Sequence, residues 1–192
     1  MCFSKTFMDM VSRFMLALGI AIVNLMLFSI ESEMPNPYSG GKGGSFLLKD
    51  TNSVQLQDVS GNALTLDDVK RQHQGKVIFI EYWASWCAPC RELMPASEAV
   101  RADVKDLEVA YIYLSLDSDH DKWIKASREE RISDYSLNYR ITNGRTSDFL
   151  KKYNINFIPQ AMVLGKSGMV VRTSLMPGTK TLVPYLTDLS RN

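Results

Sequence analysis

The chain has 192 residues, a formal net charge of +1, and is 45% hydrophobic and 22% charged. Once about 45 N-terminal residues unsuited to a core are set aside, that balance fits one globular domain of ordinary size and excludes bulk disorder. Lysines and arginines are scattered rather than gathered into a stripe, so the basic surface that a phosphate backbone requires is missing and nucleic acid is excluded as a partner.

In chain order, the first feature is the uncharged run Phe14 to Ile30, preceded by Lys5 and Arg13 and followed by Glu31 and Glu33. The asymmetry of charge keeps the N-terminus cytoplasmic and exports the chain beyond residue 30. The run is short for a spanning helix and long for a signal-peptide core, and Ser29 to Ser32 make a poor cleavage site, so residues 1–32 are read as an anchor or uncleaved signal. Cys2 precedes the run, where it cannot serve as the lipid-bearing cysteine of a lipoprotein signal. Residues 33–45, rich in Pro, Gly and Ser, form a flexible linker, and residues 46–192 are read as one domain.

That domain opens with short strands at 46–49 and 54–58, then a helical turn carrying Leu64, Leu66 and Val69, which ends at Gly75-Lys76. Residues 77–84, VIFIEYWA, form a nearly continuous β-branched and aromatic run, the pattern of a central strand buried on both faces. A helix follows from the cysteine pair onward, with Leu93, Ala96 and Val100 at helical spacing and Pro95 bending rather than ending it. Residues 109–116 are a second buried strand, so strand, helix and strand imply a parallel crossover. Residues 119–131 are helical, 132–144 turn-rich and polar, and 146–153 helical again. AMVLG and MVVRT make an antiparallel hairpin about Lys166-Ser167-Gly168, and residues 180–190 close the domain as a helix despite Pro184. The sum is an α/β fold with a mixed sheet.

Trp86-Cys87-Ala88-Pro89-Cys90 lies where the buried strand gives way to the helix. Cys87 there meets the positive end of the helix dipole and unpaired backbone N–H groups, which favour its thiolate, while Cys90 can turn back to resolve a mixed disulfide. Pro89 fits the first turn, where its missing N–H costs little. A zinc half-site or a pair of inert core thiols are the competing readings. Zinc needs two more ligands, and His73, His120 and Cys2 form no paired ligand motif, so redox chemistry is preferred. Asp117, Asp119 and Asp121 lack the glycine and terminal glutamate of a calcium loop and read as a solvated helix start. Arg91 is expected to be exposed, either favouring the thiolate or solvating the helix.

The segment YWASWCAPCRELMP resembles the active-site segment of thioredoxins, and more closely that of the TlpA/ResA-like membrane-anchored thiol-disulfide oxidoreductases. The resemblance extends to the lead-in GKVIFIEYWA, Pro95, Ile158-Pro159 before the hairpin, and the N-terminal anchor. It implies a thioredoxin-like three-layer α/β/α sandwich with a mixed central sheet, an N-terminal β extension and a central insertion that includes DSDHDKW. It also implies that Pro159 follows a cis bond beside the dithiol and that Ile158 pairs by backbone with a bound peptide. Glu81 matches the position where thioredoxins carry a buried Asp that exchanges protons with the resolving thiol, and burial would raise its pKa toward that of a useful base on Cys90. Trp83 and Trp86 match an aromatic pair packed under the loop, with Trp86 the direct neighbour of substrate and Trp83 structural.

These readings make the chain a protein disulfide reductase with Cys87 as nucleophile, Cys90 as resolver and Glu81 as base. Substrate contacts are assigned to Trp86, Pro89, Ile158 and Pro159. No cofactor or metal is required; the partners are protein disulfides and a membrane thiol-electron donor, and the catalytic domain is placed outside the cytoplasmic membrane. A peroxiredoxin-type peroxidase would need a Pro and Thr motif that Cys87 lacks, and a copper-binding assembly chaperone would use the same cysteine pair with a distal His.

Overall fold

Residues 53–135, 137–144 and 147–192 are described by the computed structural model; the anchor, the linker and the strand expected at 46–49 lie outside them. The chain runs β1 (Gln55–Asp58), β2 (Ala63–Thr65), α1 (Leu66–Gln72), β3 (Val77–Trp83), α2 (Ala88–Asp103), β4 (Val109–Ser115), α3 (His120–Glu129), β5 (Asn138–Ile141), α4 (Asp148–Lys152), β6 (Gln160–Leu164), β7 (Val170–Leu175) and α5 (Leu182–Arg191). The strands form a seven-stranded sheet in the order β2-β1-β5-β4-β3-β6-β7. β3, β4 and β5 are parallel neighbours, while β6 runs antiparallel to β3 and β1 runs antiparallel to both β5 and β2.

Every residue of β3 is buried, which explains an apolar run interrupted only by Glu81: helices cover both faces. Val77, Phe79 and Trp83 point into a cluster shared with α2, α3 and α5, whereas Ile78, Ile80 and Tyr82 point into one shared with α1 and α4. The expected three-layer sandwich with a mixed sheet and an N-terminal β extension is therefore present.

Three local expectations are corrected. Leu64 belongs to β2 rather than to a helical turn, because the helix begins only after Thr65, whose side chain and that of Asp68 form a reciprocal capping box. The inward stripe of α2 is Cys90, Met94, Ser97 and Val100, so Leu93 and Ala96 are only half-buried; Pro95 lies within the unbroken helix, as expected. The polar stretch 132–144 contains β5, whose Asn138 is buried and donates to the Ser127 hydroxyl and the Ile132 carbonyl. Tertiary partners there override a polar composition that reads as loop.

Candidate active site

The dithiol sits at the junction of β3 and α2. Cys87 is the N-cap of α2, its sulfur accepting from the Cys90 N–H at 3.3 Å, and Pro89 stands in the first turn. Cys87 and Cys90 are joined as a disulfide, the oxidised state of the pair. Cys87 keeps 5% of its surface exposed and Cys90 none, so an incoming sulfur can meet only the first of the two. The helix dipole and the unpaired N–H groups of the first turn are directed at that same sulfur.

The loop holding Trp86 and Cys87 is fixed from below by an acid whose sequence context points to solvent. Asp117 is only 2% exposed. One carboxylate oxygen accepts from the Ser85 backbone N–H (2.8 Å) and the Ser115 hydroxyl (2.7 Å), the other from the Ser85 hydroxyl (2.6 Å). Three donors on one carboxylate compensate its burial. In the sequence Asp117 stands two residues past a buried strand, but only the parallel β3–β4 pairing, which sets Trp83 opposite Ser115, brings it under Ser85. Asp119, by contrast, caps α3 as a solvated helix start should, accepting from the backbone N–H groups of Asp121 and Lys122.

Arg91 is not a free cation beside the sulfur. Its guanidinium donates to Glu130 at 2.6 Å and to Glu129 at 2.7 Å, tying the first turn of α2 to the end of α3. The expected tryptophan pair is divided: Trp83 is fully buried, whereas Trp86 is 66% exposed, so it does not pack under the loop but stands open to solvent next to Cys87.

Glu81 is wholly buried in β3. Its two oxygens accept from the Ser97 hydroxyl of α2 at 2.9 Å and the Tyr111 hydroxyl of β4 at 2.6 Å. Burial drives its pKa up to about 7, and the two hydrogen bonds restrain that rise. Tyr111 in turn is pushed well above its ordinary value, by burial first and then by the Glu81 charge. Ser97 and Cys90 share the inward face of α2, so the helix that carries the resolving sulfur also holds the carboxylate. Ser97 and Tyr111 escape a reading of the sequence because neither residue type signals a role without the partner.

The Ile158–Pro159 peptide is cis, and Ile158 packs against the cluster that contains both cysteines. Tyr82 pairs with Gln160, so the register of β3 and β6 carries Pro159 to the end of β3 from which the dithiol loop springs. Trp86 and Ile158 line one groove, about 1250 Å³ in volume, whose rim also includes Phe157, 57% exposed and not singled out by its sequence context. Pro89 is exposed in the first turn of α2, three residues past Trp86. Among the described residues no group of three or more His, Cys, Asp or Glu side chains gathers in a way that could hold a metal ion.

Comparison with known proteins supplies the context. Residues 75–170 match the family model described as thioredoxin-like. A protein of Bacillus cereus named thiol-disulfide oxidoreductase ResA is 24% identical over 132 residues, which cover 69% of this chain and 71% of the relative. The thioredoxin-like protein YneN of Bacillus subtilis is 29% identical over 138 residues, covering 70% and 74% respectively. In fold, the chain resembles the crystallised thioredoxin domain of a thiol-disulfide oxidoreductase from Bacteroides vulgatus, with a TM-score of 0.60 and 22% identity, over 72% of this chain and 93% of that one.

Proposed function

From the premise that this chain belongs to the thioredoxin-like family, we propose that it reduces disulfides of other proteins outside the cytoplasm, tethered by its N-terminal segment. It is a thiol-disulfide oxidoreductase: the Cys87–Cys90 pair at a strand-to-helix junction supplies the chemistry, and the ResA relative that aligns with most of the chain carries that name. The single observation that carries the reading is the asymmetry between the sulfurs, one touching solvent at a helix N-terminus and the other sealed behind it.

In the reduced protein, the Cys87 thiolate attacks one sulfur of the client disulfide. The bond between the client sulfurs breaks, the displaced sulfur leaves as a thiolate that takes a proton, and a mixed disulfide joins Cys87 to the client. Cys90 then loses its proton and attacks the Cys87 sulfur, forming the Cys87–Cys90 bond and releasing the second client sulfur. Two electrons pass from the dithiol to the client. Cys90 is shut off from water, so the base that takes its proton must be internal. Glu81 fits, with a pKa near the working range and an anchor on the helix that bears Cys90. Trp86, Pro89, Ile158 and the cis Pro159 form the surface against which the client backbone lies, and a membrane dithiol donor returns the electrons.

Substrate trapping tests this. A Cys90→Ser variant stops after the first bond exchange and should accumulate mixed disulfides through Cys87, separable on non-reducing gels and lost with Cys87→Ser. Insulin-disulfide turnover set beside copper titration separates exchange from metal assembly. Tight copper binding without turnover would overturn the reading.

A further inference from the structure

The groove that starts at Trp86 and Ile158 extends away from the dithiol along the end of β5 and across α4, and its lining is not electrically neutral in effect. Among the described residues its charged side chains are Asp117, Arg140 and Lys151. Asp117 is buried with its oxygens held by Ser85 and Ser115, so it presents no open oxygen to an incoming side chain. Lys151 lies 3.3 Å from Asp148, an exposed pair that water screens. Arg140 differs from both. Its guanidinium donates to the carbonyls of Asp117 and Ser118 and to the Gln57 side-chain oxygen, all formally neutral acceptors. Its Nε is buried and has no hydrogen-bond partner, and among the described residues no carboxylate pairs with it. A half-buried guanidinium held rigidly by neutral acceptors keeps its charge available to an incoming anion.

The same groove offers the apolar side chains of Trp86 and Phe157 at its rim. A segment entering from the dithiol thus meets aromatic faces first and a fixed cation beyond them. We propose that this groove selects clients by the sequence beside their reactive cysteine: an extended segment with an apolar or aromatic side chain against Trp86 and Phe157, and an acidic side chain directed at Arg140. The assignment rests on the exchange activity proposed above and adds which disulfides are preferred.

The test uses the reduced full-length protein and synthetic disulfide-linked peptides in which Glu or Lys occupies in turn each of the positions flanking the cysteine. Rates are read as kcat/KM from the change in tryptophan fluorescence on oxidation. At one or more positions the Glu peptide should exceed its Lys counterpart by about tenfold, as a charge-assisted contact provides. The ratio should shrink as salt is raised, because the groove is open to screening. Arg140→Gln should bring the ratio toward one and Arg140→Glu should invert it. Both peptides are read with one enzyme preparation, so any loss of folded protein cancels. A ratio near one at every position in the unaltered protein, or a preference for Glu that survives Arg140→Gln, overturns the assignment. Hydroxyethyl disulfide, small and uncharged, separates the two levels: if it is reduced while no charge preference appears, only the groove assignment falls. If neither it nor any peptide is reduced, the exchange reading falls as well.

Discussion

Replacing Glu81 by Gln should change the pH dependence of stability in a way that only a buried, proton-holding carboxylate can produce. The folded-state pKa is about 7, raised by burial from an ordinary value of 4.5. Between those values the folded protein keeps the proton that the unfolded chain has lost, so stability falls as pH rises through this window. Below pH 4.5 both states are protonated and nothing is lost; above pH 7 the loss is complete. A displacement of this size corresponds to about 3 kcal/mol in full, and to about 2.5 kcal/mol between pH 5 and pH 8, since part is already spent at pH 5. Glutamine does not titrate. The difference in unfolding free energy between the Gln variant and the unaltered protein, measured by urea in the oxidised state, should therefore move by about 2.5 kcal/mol in favour of the variant from pH 5 to pH 8. All other titrating groups are common to both proteins and cancel. A difference that stays flat across this range would falsify the claim that Glu81 enters the fold with its proton held.

The same substitution should slow resolution of a preformed mixed disulfide at pH 8 by about tenfold or more while leaving the first attack by Cys87 within about twofold. In the unaltered protein, resolution should rise about tenfold from pH 6 to pH 8 as Glu81 loses its proton; stopped-flow separation of the two steps reads both, and equal slowing of the two would remove the base role. Asp117→Ala strands three donors beneath the dithiol loop and should cost about 3 kcal/mol by urea unfolding, with Asp117→Asn recovering part of it. Gly178→Ala should cost about 1–2 kcal/mol in the same assay, because φ is +69° there and a Cβ would stand 3.0 Å from the Ala96 Cβ and 3.3 Å from the Ser97 nitrogen.

The parts of this site that are legible in the sequence are those whose chemistry and spacing are local. Cys87, Cys90 and Pro89 declare themselves within one helical turn, and β3 declares itself because a strand covered on both faces carries no alternation. Asp117 is illegible for the opposite reason. Three acids at alternate positions resemble a solvated helix start, and two of them, Asp119 and Asp121, do belong to that start or its first turn. The third is buried beneath the dithiol loop by Ser85, 32 residues away in sequence, together with its near neighbour Ser115. Arg91 misleads likewise, since its two glutamates are the last residue of α3 and the one that follows it, at separations of 38 and 39 residues. β5 hides in a polar stretch because two of its three buried residues are Asn138 and Tyr139, and the buried amide of Asn138 is satisfied only by tertiary neighbours.

Two buried carboxylates, Asp117 beneath the loop that precedes Cys87 and Glu81 within β3, differ in their hydrogen bonding. Asp117 takes three donors, two of them from Ser85 and one from Ser115, and so ties the loop before Cys87 to the end of β4. Glu81 takes only two, both from hydroxyls, and burial outweighs them enough to raise its pKa to about 7. One more strong donor on Glu81 would lower that pKa and favour the anion; one fewer would strengthen the hold on the proton and leave no base near neutral pH. The serine on α2 and the tyrosine on β4 therefore set the pH range in which Glu81 titrates as much as the glutamate itself does.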